Sequence, residues 1–238
     1  GHGTDNSWDE ALHLTLPLLA IPFDAEPGVL QRVLTSDELA TLHAARERRI
    51  AGRIPTPYIT QQAWFCGLPF YVDERVLIPR SPLGELIDDG FYPWLQYEPE
   101  HILDLCCGSA CIAIACVEAF PAARVDAADI SADALAVAAI NVAQYQLQDR
   151  LQLVESDMFS GLHDRRYDLI VCNPPYVDAE DMNSLPDEYR HEPELALASG
   201  DDGLDFTRRL LREAKKHLTE AGILIVEVGN SAEALENA

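Results

Sequence analysis

Apolar positions along the chain follow two rhythms. In the first hundred residues they recur mostly at helical spacing. "WDEALHLTLPLL" (residues 8–19) predicts an amphipathic helix. "TSDELATLHAARERRIAGR" (35–53) predicts a second, with Ser36 as N-cap, Asp37 and Glu38 in its first turn, and arginines and Gly52 at its end. "IPTPYIT" (54–60) breaks the pattern. "AWFCGLPFYVDERVLIPR" (63–80) sets aromatic and β-branched residues around Gly67-Leu68-Pro69 and predicts a β-hairpin. A short helix over residues 82–91 and a linker, "YPWLQYEPE" (92–100), follow.

From His101 the texture changes. "HILDLCC", "RVDAADI", "LQLVES", "YDLIVCN" and "ILIVEV" are apolar runs of strand length. "CIAIACVEAF", "SADALAVAAINVAQYQL" with Ser131 as N-cap, and "GLDFTRRLLREAKKHLTEA" ended by Gly222 are helical. Strands alternating with helices predict an α/β fold with a parallel, Rossmann-like sheet and right-handed crossovers. Continuous apolar strands are what burial on both faces requires. The expected organisation is a helical unit over 1–62, a hairpin and linker over 63–98, and an α/β domain over 99–238. The apolar edge left by "ILIVEV" leads us to expect further strands beyond Ala238, and the lack of an initial Met leads us to expect a longer protein.

The net charge of -23 leaves only Lys215 and Lys216 among lysines. Such a field repels phosphate backbones, so unaided binding to DNA or RNA is disfavoured and a basic protein partner is favoured. No run of about 18 apolar residues exists to span a membrane, and no secretory signal opens the chain. Six cysteines, Cys66, Cys106, Cys107, Cys111, Cys116 and Cys172, form no C-x-x-C pair, and the cluster Cys107, Cys111 and Cys116 has no nearby His, so no metal site is expected. Reduced thiols point to the cytoplasm.

Ligands of open α/β sheets bind beyond the carboxyl ends of the strands. Here those ends carry Asp104-Leu105-Cys106-Cys107-Gly108-Ser109-Ala110, then Asp129, then Ser156-Asp157-Met158, then Asn173-Pro174-Pro175-Tyr176. Asp129 stands about 20 residues past the first turn, the place of an acid that takes ribose hydroxyls. An acid within the turn, Asp104, disfavours a pyrophosphate and suits a cationic group such as the amino end of S-adenosylmethionine. The expected contacts of a nucleoside cofactor are Asp104, Cys106, Gly108, Ala110, Asp129, Asp157, Met158 and Asn173. The prolines lack N–H groups and hold their neighbours extended. The Asn173 side-chain oxygen and the Pro174 carbonyl can therefore each accept an N–H from a planar –NH2 group, with Tyr176 stacked on that plane. Asn173, Pro174 and Tyr176 are the expected catalytic residues, and Pro175 completes the substrate elbow.

At these residues the chain resembles the class I S-adenosylmethionine-dependent methyltransferases, and more narrowly the bacterial glutamine side-chain amide methyltransferases that carry N-P-P-Y. The likeness runs through "RVLIPRSPLGELI", "ILDLCCGSACIAIA", "VDAADISADALAVA", "YDLIVCNPPYVDAEDM" and "YRHEPELALASGDDGLDFTRRLL". One branch of that family acts on peptide-release factors and the other on the third large-subunit ribosomal protein. "GHGTDNSWDEA" and "AWFCGLPFYVDERVLIPRSPLGELI" resemble the ribosomal-protein branch; Ser81-Pro82-Leu83-Gly84 departs from the P-D-T-E usual in the other. The resemblance implies S-adenosylmethionine as cofactor, a basic ribosomal protein as partner, and a final antiparallel pair of strands. In the cofactor turn Cys107 replaces a usual Thr and Ala110 a usual Gly; that alanine is harmless at negative φ and costly at positive φ.

An amide nitrogen is a poor nucleophile, so positioning is the expected source of catalysis. Residues 177–200 are the expected lid or substrate groove. Within them His191-Glu192-Pro193 has no derivable role, and His191 reads as a surface loop histidine rather than a base. Arg46, Arg48, Arg49 and Arg53 read as one solvated helix face. The alternatives are release-factor methylation, N6 methylation of adenine and a non-catalytic ribosome assembly factor.

Overall fold

The computed structural model describes residues 6–232 and 235. Five strands form one parallel sheet: β3 (His101–Leu105), β4 (Arg124–Asp129), β5 (Leu151–Glu155), β6 (Tyr167–Cys172) and β7 (Leu218–Val226), in the order β5-β4-β3-β6-β7. The chain runs outward from β3 through β4 to β5, then returns to β6 on the other side of β3. The switch point therefore lies between β3 and β6, whose register sets Leu105 beside Cys172.

Alternation along the strands makes two cores. Ile102, Leu169 and Val171 face α5 (Cys111–Ala119) and α6 (Ala132–Gln144). Leu103, Leu105, Ile170 and Cys172 face Phe159, Leu162 and α8 (Asp205–Glu213). The apolar α5 is buried along nearly its whole length, and Ser131 caps α6 by accepting the Ala134 amide. Asn141 of α6 is fully buried: it accepts the Tyr71 amide and donates to the carbonyls of Tyr71 and Ser109. It thereby joins the hairpin exit to the turn after β3.

The first part folds as α1 (Ser7–Leu18), α2 (Ser36–Ile50) and α3 (Thr56–Thr60), then the hairpin β1 (Ala63–Phe65) and β2 (Leu68–Phe70), then α4 (Leu83–Asp88). Tyr58 and Ala63 pack with Val72, Val76 and Ile78 against Ala134 and Val137 of α6. No helix among the described residues is long and apolar enough to cross a membrane.

Several sequence expectations are corrected. The N-cap of α2 is Thr35, not Ser36, because Glu38 lies three residues beyond Thr35 and closes a capping box with it. "IPTPYIT" holds a helical turn, α3; its Pro57 falls in the first turn, where no N–H is needed. The short helix expected over 82–91 is confined to Leu83–Asp88. The helix expected to run to Gly222 stops at Glu213 and passes through a 3-10 turn (Ala214–His217). There β7 takes over: Leu218 pairs with Tyr167, and His217 stacks on Phe159 at 4.4 Å. Gly222 lies inside β7, where a side chain would meet the Tyr167 carbonyl at 2.6 Å. The strands expected past Ala238 lie outside the described residues, as do the first five residues of the ribosomal-branch stretch.

Candidate active site at the carboxyl ends of the strands

The turn after β3 is built on left-handed backbone. Cys106, Gly108 and Ala110 have φ of +63°, +53° and +62°. Ala110 thus sits where its methyl is costly, and as N-cap of α5 it offers no side-chain bond. A β-carbon on Gly108 would touch nothing within 4 Å, so the open face of the turn is a cradle that a side chain would fill.

Asp104 lies beneath the turn. It is wholly buried, one oxygen accepts the Ala113 amide at 2.9 Å, and the other has no partner among the described residues. Desolvation, with Asp129 nearby, pushes its carboxyl up to about 8. Asp129 accepts the Gly108 amide on one oxygen and the Ser131 amide on the other, each at 2.9 Å, and so fastens the first turn to the second. Burial raises its carboxyl above the usual range despite those amides. Asp157 is exposed and paired with Arg209 at 2.6 Å. Met158 is buried with φ of +55°.

These ends open into a cleft. Of the expected cofactor residues, Cys106, Gly108, Asp129, Asp157, Met158 and Asn173 line it, while Asp104 and Ala110 shape the turn from below. The sequence reading missed most of the apolar wall. Val76, Leu77, Ile78, Ile112, Ile130 and Phe206 belong to it.

A second cleft adjoins the first and is lined by Asn173, Pro174, Tyr176, Asp178, Leu185 and Tyr189 among others. Asn173, Leu77, Arg80 and Ala196 belong to both clefts. Pro175 lines only the first. Among the described residues no group bonds the Asn173 side chain or the Pro174 carbonyl. The tyrosine ring is anchored: its phenol donates to Glu227 at 2.8 Å, and a β-carbon on Gly229 would lie 2.5 Å from it.

Residues 177–200 form walls of both clefts, through α7 (Ala179–Ser184) and short 3-10 turns. His191 is half-buried and bonded to the Gly52 carbonyl at 2.9 Å. Glu192 is the part of that segment with structural consequence: its buried carboxylate holds Arg80 and the Ile78 amide. The arginines of α2 are not one solvated face. Arg49 is half-buried and joins Glu10 of α1 at 2.7 Å to Glu188 at 3.3 Å, and Arg53 reaches the same Glu188 at 2.8 Å. Cys107, Cys111 and Cys116 are free and buried, and burial raises all three thiols, Cys111 to about 12.

The methyltransferase small domain family matches residues 91–187. The ribosomal protein uL3 glutamine methyltransferase of Neisseria gonorrhoeae is 50% identical over 240 residues, covering 100% of this chain and 80% of its own. That of Francisella tularensis is 48% identical, covering 99% and 76%. Among solved structures, the catalytic domain of hMettl16 in complex with an RNA hairpin of the MAT2A 3′UTR is similar at a TM-score of 0.57 and 18% identity, over 85% of this chain and 72% of that one. A methyltransferase from Pyrococcus furiosus is similar at 0.51 and 17%, over 85% and 84%. At such identities the structural likeness concerns the fold alone.

Proposed function

The chain belongs to the family of ribosomal protein uL3 glutamine methyltransferases, and from that premise we propose that it methylates the side-chain amide nitrogen of a glutamine in uL3, using S-adenosylmethionine in the cytoplasm. The observation that carries this reading is Asn173, shared by a cleft at the switch point and a second cleft beside it. The first has the acceptors and shape for a nucleoside: an open glycine cradle, an apolar wall, and Asp129 with lone pairs left over from its two amides. When bound, the cofactor supplies a methyl group activated by a positively charged sulfur. The unpartnered oxygen of Asp104 leaves hydrogen-bonding capacity beneath the turn.

In the second cleft Asn173 and Pro174 offer unopposed acceptor oxygens. They hold both amide hydrogens, turn the nitrogen toward the first cleft, and favour the positive charge that grows on it. Tyr176 lies against the amide plane. Orientation of this kind supplies about 7–11 kcal/mol, and the nitrogen's surplus proton leaves after transfer without a dedicated base. Residues 1–62 form the recognition unit for the basic substrate, with 63–98 as connector and 99–238 as the methyltransferase domain. In support, Arg49 and Arg53 tie α1 and α2 to Glu188, in the loop that walls the second cleft.

Labelled cofactor offered together with uL3, a release factor, DNA and RNA tests the proposal. Label in uL3 alone is expected. Label confined to the release factor or to nucleic acid overturns it.

A further inference from the structure

Glu227 follows the last residue of β7 and lines neither cleft. Its amide donates to the Cys172 carbonyl at 3.0 Å, which fixes it beside the residue before Asn173. One carboxylate oxygen accepts the Tyr176 phenol at 2.8 Å, and the other accepts the Ser81 hydroxyl at 2.6 Å. Tyr176 is a wall of the second cleft and Ser81 a wall of the first. Ser81 in turn accepts the Leu83 amide at 3.1 Å, at the start of α4.

A carboxylate only accepts, so both hydroxyl protons are committed to it and both side chains are held in one rotamer. Burial and the nearby carboxylate raise the Tyr176 phenol well above its ordinary value, which keeps it a donor. The close approach of Gly229 bounds the ring from another side.

We propose that Glu227 is a positioning residue that joins the walls of the two clefts, holding Tyr176 in the plane that orients the acceptor amide while Ser81 holds the cofactor side in register. This rests on the glutamine-methylation reading above. Glu227 acts through Tyr176, so the two residues form one unit.

The test is a double-mutant cycle with full-length uL3 as acceptor. Glu227→Ala is expected to lower kcat by about 100-fold, the scale of a small misplacement of reacting groups, with KM for uL3 little changed. Tyr176→Phe lowers kcat less, and the double variant is no slower than Glu227→Ala alone. Glu227→Gln, which keeps one acceptor oxygen, recovers part of the loss. Thermal melts identify any variant that fails to fold; should Glu227→Ala fail, the cycle of Glu227→Gln with Tyr176→Phe carries the same test. Multiplying losses, or a Glu227 variant with lowered melting temperature and unchanged kcat, overturns the inference while leaving the proposed reaction standing. A wild type inert toward uL3 overturns both.

Discussion

The Glu192 carboxylate receives Arg80 Nη1 at 2.8 and 2.9 Å, across 112 residues of sequence, with the glutamate side chain wholly buried. The Ile78 amide donates to the same carboxylate at 3.2 Å, and the Arg80 guanidinium lies 5.0 Å from the centre of the Tyr189 ring. The pair therefore pins the segment 77–81, which walls the first cleft, to the loop that walls the second.

Arg80→Met removes one partner of a buried pair and leaves a charge uncompensated, which costs about 3–5 kcal/mol. Desolvation already raises the Glu192 carboxyl, and Arg80 holds it down. A folded-state pKa above the unfolded one means that stability falls as pH rises through the gap, and losing Arg80 widens the gap. Urea denaturation is expected to show a larger loss for the variant at about pH 8.5 than at about pH 5.5. A loss independent of pH contradicts the role given to the ion pair.

Asn173→Ala deletes one of the two unopposed acceptors and spares the rest of the first cleft. Turnover is expected to fall at least about 100-fold, with cofactor affinity by calorimetry nearly retained. Unchanged turnover contradicts the acceptor-holding mechanism.

Gly108→Ala separates the cost of the turn from the cost to the ligand. The backbone there is left-handed at φ +53°, yet the new methyl meets no protein atom. Stability is expected to drop by only about 1 kcal/mol, while S-adenosylmethionine affinity drops far more because the methyl fills the cradle. Equal binding by the variant and wild type, measured by calorimetry, contradicts the placement of the cofactor.

Much of this arrangement was legible in sequence. Continuous apolar runs marked the parallel strands, and the residues at their carboxyl ends, Cys106, Gly108, Asp129, Asp157, Met158 and Asn173, converge on one cleft. The ribosomal-protein branch was legible only by resemblance, and the chain matches members of that branch. Side-chain partnerships across long sequence separations were not legible. Glu192 with Arg80 and Glu227 with Tyr176 and Ser81 depend on where the sheet brings loops together, and no local period encodes that. Arg80 and Ser81 lie in "RVLIPRSPLGELI", which was read by resemblance alone, and Glu192 lies in His191-Glu192-Pro193, which had no derivable role. The over-long final helix failed for the opposite reason: a good helical pattern lost to strand pairing with β6.

Asp104 gives a pH signature. Its carboxyl is raised from 3.8 to about 8 by desolvation, so ionisation is penalised in the folded state. The folded protein binds more protons than the unfolded chain between those values, and stability falls as pH rises through that window. Asp104→Asn cannot ionise and is expected to show a flatter profile of melting temperature against pH over that range. Parallel profiles for the two proteins contradict the assignment.

The central claim is that a glutamine of uL3 is methylated through the joint held at Asn173. Its most direct test is mass spectrometry of uL3 incubated with S-adenosylmethionine, with and without the full-length enzyme. The account predicts one added methyl group, mapped by fragmentation to a glutamine side chain and present only with active enzyme. An unmodified uL3, or a methyl group on any other residue, contradicts it.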